Sequence, residues 1–177
     1  MRVGIGLGSN VGERLRNLQR ARDLVLALPG ILPATASGAR PGDCLLAPVF
    51  ESEPVGCPPG SAPFLNTVME VGFRPRCSPL HLLDALRQLE RTLGRPSRYP
   101  RNSPRCIDLD ILYADQLVMA TSQLSLPHPR MHTRRFVLAP LAVIRPELVL
   151  PGHQQPVESL LRDVDDPSNV QAVHPQW

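Results

Sequence analysis

Hydrophobic and polar residues alternate with period two in some segments of this chain and recur with a helical period in others. Alternation is typical of a half-buried strand, whereas apolar residues three and four apart are typical of an amphipathic helix. The second predicted helix has clear ends, because Ser78-Pro79 is a favourable start and Gly94 a favourable stop. In chain order the pattern predicts strand 3–7, helix 12–28, strands 45–52 and 64–73, helix 78–93, strands 106–113 and 117–119, and a helix over 133–144 that Pro140 kinks or delays.

The order of these elements, β-α-β-β-α-β with additions, is the ferredoxin-like arrangement. It predicts an α+β fold in which two main helices lie on one face of an antiparallel sheet. The helical segment 133–144 is expected to cover part of the other face, giving an αβα sandwich with helices on both faces. A single domain over 1–177 is predicted, ending in a polar tail from about residue 151 with one amphipathic turn near Leu160 and Leu161.

Composition argues against several classes of function. The net charge is only +3 and aromatic residues make up 4%, which is too little for a nucleic-acid surface or a base-stacking platform. The four cysteines lack metal-ligand spacing, and no apolar run is long enough to span a bilayer. We therefore expect a cytoplasmic protein with neither nucleic-acid nor membrane partners.

Two carboxylates stand two residues apart on one predicted strand. Asp108 and Asp110 should share a face, because side chains at this spacing point to the same side of a strand. Carboxylates held so close repel each other unless a cation lies between them, and Mg²⁺ commonly bridges such carboxylates to substrate phosphates. On this pair alone, a solvated strand face remains the better interpretation.

The segment before this pair is broken by prolines and contains no acidic residue between Glu90 and Asp108. By itself it is typical of a solvated surface loop. Guanidinium groups match phosphate oxygens, however, and phosphoryl transfer needs both metal and positive charge around the transferred group. Carboxylate pair and basic loop together therefore favour a phosphoryl-transfer site. The arginines concerned are Arg91, Arg95, Arg98, Arg101 and Arg105.

The glycines near the N-terminus invite comparison with a nucleotide-binding loop. Gly4, Gly6 and Gly8 do not form the spacing of a dinucleotide fingerprint, and no P-loop lysine follows them. A tight turn from strand to helix, capped by Ser9 or Asn10, explains the pattern at least as well as a ligand role.

Three further residues each allow two interpretations, a ligand role and a purely structural one. His128 is fixed between two prolines and lies six residues before Arg134, so a phosphate ligand and an exposed loop residue are equally consistent with it. Phe64, two residues before Asn66, and Phe136 are by residue type more often core than ligand contacts.

Taken together, these segments resemble the 6-hydroxymethyl-7,8-dihydropterin pyrophosphokinases of folate biosynthesis, from residue 3 to residue 151. No single motif is specific, but their order along the chain is. The matching motifs are Gly8-Ser9-Asn10, Ser52-Glu53-Pro54-Val55-Gly56, Phe64-Leu65-Asn66, Glu90-x-x-x-Gly94-Arg95, Arg101-x-x-Pro104-Arg105-x-Ile107-Asp108-Leu109-Asp110-Ile111 and Pro127-His128-x-x-Met131-x-x-Arg134-x-Phe136.

The resemblance implies Mg²⁺-dependent transfer of pyrophosphate from ATP to the hydroxymethyl group of the pterin, with release of AMP. It implies that Asp108 and Asp110 hold two Mg²⁺ ions and act with Arg95 and Arg105 in catalysis. The implied ATP-binding residues are Leu83, Glu90, Arg95, Arg98, Arg105, Ile111, Ser125, His128 and Arg134. The implied pterin-binding residues are Ser52, Val55, Phe64, Asn66 and Phe136. Association with other folate-pathway enzymes is compatible with the resemblance.

This chain departs from the usual family pattern around a predicted lid over residues 96–104. Asn102 replaces a usual tryptophan, Ser97 replaces a second lid arginine, and Pro129 replaces an aromatic residue after the histidine. Two other classes of protein share single features with the chain. A metal-dependent nucleotidyltransferase also uses paired aspartates but transfers a nucleotide, and an RNA-binding module can share the sheet, although acids on the sheet face would repel phosphate.

Overall fold

The structure of the protein is a computed structural model that describes residues 1–32, 44–54, 56–74, 77–96 and 103–177. The elements in chain order are β1 (Arg2–Ser9), α1 (Arg14–Leu26), β2 (Ile31–Leu32), β3 (Cys44–Leu46), β4 (Val49–Ser52), β5 (Phe64–Phe73), α2 (Pro79–Thr92), β6 (Asp108–Ala114), β7 (Met119–Ala120), β8 (Ser125–Leu126), a 3₁₀ turn (Met131–Thr133), α3 (Arg135–Ile144), α4 (Val157–Asp163) and β9 (Val170–His174). None of the described helices has the length and apolar character needed to cross a membrane.

The main sheet is antiparallel, with the strand order β6-β1-β5-β4-β9 and with β2 and β3 also paired to β5. Helix α1 connects β1 to the strands that lead into β5, and α2 connects β5 to β6. This is the βαββαβ order with the strand arrangement of a ferredoxin-like sheet. The predicted fold is confirmed. Strands β7 and β8 form a separate ribbon.

Each face of the sheet carries its own hydrophobic cluster. On one face Leu18 of α1 and Leu86 of α2 pack with Ile5 and Ile111 of the sheet. On the other, apolar residues of α3 and α4 pack with sheet residues that include Val68. Each large apolar side chain buried in this way contributes about 1.5–3 kcal/mol, and the central strand β5, buried from Leu65 to Phe73, supplies side chains to both clusters. The members of the second cluster are Ala47, Val68, Leu112, Tyr113, Met131, Val137, Leu138, Leu141, Leu150 and Val157.

Helix α2 begins and ends where the sequence predicts. The Ser78 hydroxyl accepts a hydrogen bond from the N–H of Leu80 at 3.2 Å, and Pro79 occupies the first helical position. Gly94 has a φ of +98°, a backbone conformation that favours glycine after a helix. The cap predicted for α1 is wrong. Glu13 is the N-cap residue and makes no side-chain capping bond, because Ser9 is still part of β1.

Three other predictions are corrected by the structure. The strand 45–52 is divided into β3 and β4, because Pro48 cannot donate to the ladder. The alternation of the predicted strand 106–113 would place Tyr113 on the face of Ile111, but the register with β1 shifts between Gly4 and Ile5, and Tyr113 packs in the same cluster as Leu112. The polar tail predicted from residue 151 contains an unforeseen strand, β9, which pairs with β4.

Gly4 should be the least replaceable of the β1 glycines. A Cβ atom built on Gly4 would lie 2.2 Å from Cε1 of Tyr113, a fully packed side chain. We expect Gly4→Ala to lower the free energy of unfolding by about 1–3 kcal/mol or more, because the Tyr113 ring cannot move without disturbing the core. Urea unfolding of the variant checks this. Gly12→Ala is a poor control because its φ is +68°, whereas Gly6→Ala, with Leu112 at 3.4 Å, should cost clearly less.

Candidate active site

Two cavities meet beside the first residues of β6. The larger has a volume of about 520 Å³, and the smaller a volume of about 350 Å³. Among the described residues, four side chains line both of them: Arg95, Asp108, Asp110 and His128. Any ligand group in one cavity that reacts with a group in the other would therefore do so among two carboxylates, a guanidinium and an imidazole.

The carboxylate pair stands where β6 runs beside the glycines of β1. Asp108 is opposite Gly8 in the ladder, and Asp110 is opposite Gly6. A Cβ on Gly8 would lie 3.0 Å from Oδ1 of Asn66 and 3.9 Å from Cβ of Asp108, so the missing side chain leaves room for both. Asp108 and Asp110 line the same cavities, as their spacing on the strand predicts.

Asp108 and Asp110 differ in their charge partners. Oδ1 of Asp108 accepts a hydrogen bond from Arg95 at 2.5 Å, and Oδ2 accepts one from Arg105 at 3.0 Å. Asp110 forms no ion pair with any described residue. Burial, followed by the negative charge of Asp108, raises the pKa of Asp110 to about 6, although Arg134, Arg95 and Arg105 act in the opposite direction. The three guanidinium groups therefore offset the burial of Asp110 only in part.

The donor set fits a hard divalent cation. Burial and the adjacent charge of Asp108 both raise the pKa of Asp110, and a cation between the two carboxylates would offset both effects. Within the described ranges there is no group of three or more His, Cys, Asp or Glu side chains that could enclose a metal ion. Two carboxylates with open positions are what Mg²⁺ uses when water and phosphate oxygens complete its octahedron.

Glu90 of α2 ties the helix to the carboxylate strand. Its Oε1 accepts hydrogen bonds from the N–H of Leu109 at 2.9 Å and from the guanidinium of Arg95. Burial raises the pKa of Glu90 to about 7 against the opposing effects of Arg95 and the Leu109 N–H. Glu90 lines the smaller cavity and fixes Arg95 beside Asp108.

Asn10 holds Arg105 in place, a role that the sequence analysis missed. The Asn10 side-chain oxygen accepts a hydrogen bond from the Arg105 N–H at 2.8 Å, and the Asn10 N–H donates to the Arg105 carbonyl at 3.1 Å. This reciprocal pair joins the end of β1 to the residue that binds Asp108. Asn10 directly follows β1, the strand that pairs with the strand of Asp108. This position could have indicated that Asn10 holds a residue of the site.

The larger cavity has aromatic and amide walls. Asn66 donates a hydrogen bond to the Ser52 hydroxyl at 2.8 Å, and both side chains are buried. The guanidinium carbon of Arg105 lies 5.6 Å from the Phe64 ring centroid, and that of Arg134 lies 5.4 Å from the Phe136 ring centroid. All the described residues that the resemblance assigns to pterin line this cavity, namely Ser52, Phe64, Asn66 and Phe136.

The described residues assigned to ATP are divided between the two cavities. Arg95 and His128 line both, whereas Arg105 and Arg134 line the larger one. The remaining residues lie around the smaller cavity, namely Leu83, Glu90, Ile111 and Ser125.

His128 is held as a neutral imidazole. Burial first, then the charges of Arg134 and Arg130, lowers the pKa of His128 to about 4. Its Nδ1 accepts a hydrogen bond from the Arg130 N–H at 3.2 Å, so the proton of the neutral ring resides on Nε2. The His128 N–H donates to the Leu112 carbonyl at 2.7 Å, which ties this loop to β6.

Some of the sequence predictions fall on residues outside the described ranges. These are the pterin assignment of Val55, the ATP assignment of Arg98, and the lid with Arg101 and the departures at Ser97 and Asn102. Several other residues that line the larger cavity carry no motif in the sequence and were not predicted. They include Arg130, Thr133, Asp165, Asp166 and Pro167.

Known proteins identify the family of the chain. The family model of 7,8-dihydro-6-hydroxymethylpterin-pyrophosphokinase (HPPK) matches residues 4–146. The chain belongs to this family. The resemblance inferred from the motifs is confirmed, and so is the prediction that the protein is a pyrophosphokinase-family enzyme.

Individual relatives agree with this assignment. The chain is 39% identical over 140 residues to the 2-amino-4-hydroxy-6-hydroxymethyldihydropteridine pyrophosphokinase of Bacillus subtilis, covering 79% of this chain and 75% of that protein. It is 32% identical over 157 residues to the folic acid synthesis protein fol1 of Schizosaccharomyces pombe, covering 89% of this chain and spanning 20% of fol1. The crystal structure of Plasmodium falciparum HPPK-DHPS with pteroate has a TM-score of 0.63, covers 91% of this chain and 42% of that chain, and at 13% identity is similar in fold alone.

Proposed function

We propose that the protein transfers the pyrophosphate group of ATP to 6-hydroxymethyl-7,8-dihydropterin in a Mg²⁺-dependent reaction that releases AMP. The pterin hydroxyl oxygen forms a bond to the β-phosphorus, the bond from that phosphorus to the α,β-bridging oxygen breaks, and the hydroxyl proton is released. The observation that carries the proposal is the meeting of two cavities at Asp108 and Asp110. One cavity suits a flat aromatic ring and the other a nucleotide, and the carboxylates lie between them.

Asp108 and Asp110 are the residues that would hold Mg²⁺. When bound, the metal neutralises phosphate charge and aligns the reacting oxygens. Arg95 and Arg105, which pair with Asp108 in the ligand-free protein, would then be released to contact phosphate oxygens. Such preorganised positive charge stabilises the charge that develops on the leaving oxygen. Arg95 keeps its direction during this exchange, because Glu90 still accepts its hydrogen bond.

The smaller cavity is proposed to receive the nucleotide. Leu83 and Ile111 supply apolar surface for the adenine ring, and Glu90 and Ser125 supply polar groups nearby. Because His128 carries its proton on Nε2, it can donate a hydrogen bond to a phosphate oxygen without first taking up a proton from solvent. Arg134 lines the adjoining larger cavity, and it adds positive charge to the proposed triphosphate site.

The larger cavity is proposed to receive the pterin. A flat bicyclic ring gains stacking area between Phe64 and Phe136, and its polar edge needs fixed partners such as Asn66. Ser52 keeps the Asn66 amide in one orientation through its hydrogen bond. The roles of Val55 and Arg98 stay predictions from the resemblance. The lid over residues 96–104 and a cytoplasmic location stay predictions from the sequence.

Product analysis tests the proposed reaction. The protein is incubated with Mg²⁺, ATP and 6-hydroxymethyl-7,8-dihydropterin, and the nucleotide products are separated by chromatography. AMP formed in equal amount with the pterin diphosphate supports the proposal. Free pyrophosphate with a nucleotidylated pterin would instead support a nucleotidyltransferase, and the absence of any pterin-dependent product would refute both activities.

The side chains of Phe64 and Phe136 should contribute more free energy to pterin binding than to folding. We expect Phe64→Ala and Phe136→Ala each to weaken binding of 6-hydroxymethylpterin by on the order of 1–3 kcal/mol, mostly through lost stacking area. Binding of α,β-methylene-ATP, whose α,β linkage resists cleavage, should change little. Fluorescence titration of the pterin and calorimetry of the nucleotide measure the two affinities.

Phe50→Ala is a matched control for these variants, because Phe50 is a half-buried residue of β4 that lines neither cavity. It should leave both affinities unchanged. If Phe64→Ala and Phe136→Ala instead weaken both ligands equally and lower the melting temperature strongly, the two rings belong to the core and the pterin assignment is refuted.

A further inference from the structure

The chain after α4 returns to the start of α3 through residues 164–168. Asp166 accepts a hydrogen bond at Oδ2 from the Arg135 N–H at 2.8 Å and one at Oδ1 from the Ser168 N–H at 3.0 Å. The Arg135 side chain donates to the carbonyl of Asp166 at 2.9 Å and to that of Val164 at 3.3 Å. The returning segment is therefore joined to the first residue of α3 by three hydrogen bonds, all of which Arg135 donates.

Asp166 performs for α3 the task that an N-cap residue normally performs. The N-cap position is Arg134, whose side chain makes no capping bond. The first N–H groups of a helix lack intrahelical acceptors, and a carboxylate there also interacts favourably with the helix dipole. Asp166 satisfies the N–H of Arg135 from 31 residues away, so the direction of the first turn depends on the returning segment.

The first turn of α3 and the returning segment both line the larger cavity. Phe136 and Val137 contribute from α3, and Asp165, Asp166 and Pro167 contribute from the segment. The side chain of Arg135 bonds to the segment, while the residues on either side of it, Arg134 and Phe136, line the cavity. The segment lies beyond residues 4–146, the part of the chain that matches the family model.

We propose that Asp166 is a positioning residue for the pterin wall, which acts by fixing the first turn of α3 and thereby the Phe136 ring. The inference rests on the proposed function, since it concerns the same cavity. Stacking depends on ring placement to within a fraction of an ångström, so a loosened first turn weakens ring contact before it unfolds the helix. The nucleotide cavity receives no residue from this segment among the described residues, so its affinity is the internal reference.

The test compares Asp166→Ala, Asp166→Asn and wild type, with Asp163→Ala as a control. Asp163 lies at the end of α4, is exposed, and lines neither cavity. The probes are 6-hydroxymethylpterin, followed by fluorescence in the presence of Mg²⁺ and α,β-methylene-ATP, and the nucleotide analogue alone, followed by calorimetry. Asp166→Ala should raise the pterin Kd by about 5- to 20-fold, the size expected for a lost helix cap, and change the nucleotide Kd by less than about 2-fold.

Asp166→Asn should recover most of the pterin affinity, because its amide oxygen can still accept from the Arg135 N–H. A second variant, Arg135→Met, keeps the bond from the Arg135 N–H to Asp166 but removes the side-chain hydrogen bonds. It should raise the pterin Kd by a smaller factor than Asp166→Ala does. This variant provides the test if Asp166→Ala does not fold. Pterin affinity unchanged in both Asp166→Ala and Arg135→Met overturns the inference, as does a parallel loss of both ligands. If wild type itself fails to bind the pterin, the proposed function falls, and the inference with it.

Discussion

Replacement of Asp110 by Asn should abolish turnover while leaving the ligand-free protein as stable as the wild type or more so. Activity should fall by on the order of 10³-fold or more, because a metal ligand and its aligned phosphate are lost together. Stability should not fall, because the wild-type carboxylate is buried beside Asp108 without an ion pair to a described residue. An amide removes the repulsion and keeps the side-chain volume.

The pH dependence of this difference follows from the raised pKa. The ordinary pKa of Asp110 is 3.8 and its folded pKa is about 6, so the folded state binds the proton more tightly than the unfolded chain does. Stability from this group is full below the unfolded pKa and is lost as the pH rises through the folded pKa. The melting temperature of Asp110→Asn minus that of wild type should therefore increase between about pH 4 and pH 7.

The measurement is a set of thermal melts across this pH range, with and without Mg²⁺ and α,β-methylene-ATP. The ligands should stabilise wild type much more than Asp110→Asn. Asp84→Asn makes the same substitution on the exposed face of α2, outside both cavities, and is the matched control, which should keep wild-type turnover. A variant with near-normal Mg²⁺-dependent turnover would remove Asp110 from the metal site, and a strongly destabilised one would show that the carboxylate is structural.

The parts of this molecule that the sequence predicts well depend on neighbours along the chain. The period-two pattern places Asp108 and Asp110 on one face of β6. Ser78 marks the start of α2 and Gly94 marks its end. Each of these effects acts within a few residues of the chain. The motifs also led to residues that the structure brings to two adjoining cavities, while the ligand assigned to each residue stays a prediction. The strand face and the helix ends named here depend only on residues that are close together in the sequence.

The parts that the sequence did not predict depend on partners far along the chain. Strand β9 is half-exposed or exposed throughout, and Val173 next to Ala172 breaks its short alternation, so the pattern is too weak to detect and the strand exists through its ladder with β4. Asn10 looks like a helix cap, yet its partner is Arg105, which lies 95 residues away. Asp166 lies in a polar segment that offers no local reason to expect it at the start of α3. Tertiary contacts decide each of these positions.

Removal of the Glu70 carboxylate should be the most damaging single change to the fold outside the active site. Glu70 is fully buried at the end of the sheet away from the cavities, and its Oε2 accepts a hydrogen bond from the Tyr113 hydroxyl at 2.6 Å. Arg2 pairs with Oε1 at 3.0 Å, and Arg145 pairs with Oε2 at 3.2 Å. Burial, together with the Glu70 charge, raises the pKa of Tyr113, so the phenol stays protonated and donates.

We expect Glu70→Ala to lower the free energy of unfolding by about 3–5 kcal/mol, because it leaves a buried hydroxyl and two partly buried guanidinium groups without their acceptor. Glu70→Gln keeps the volume and one acceptor oxygen, and should cost about 1–3 kcal/mol. Tyr113→Phe, which removes only the hydroxyl, should cost less than Glu70→Ala. Urea unfolding at fixed temperature measures all three variants.

The double variant Glu70→Ala/Tyr113→Phe separates the lost hydrogen bond from the lost ion pairs. If the unpaired hydroxyl accounts for part of the damage, the double variant should be less destabilised than the sum of the single variants, since Phe leaves no donor unsatisfied. Turnover per folded molecule should stay near the wild-type value at low temperature, because Glu70 lines neither cavity. If the free energy of unfolding of Glu70→Ala lies within about 1 kcal/mol of the wild-type value, hydration of Arg2 and Arg145 compensates for the lost ion pairs. In that case this cluster does not stabilise the end of the sheet.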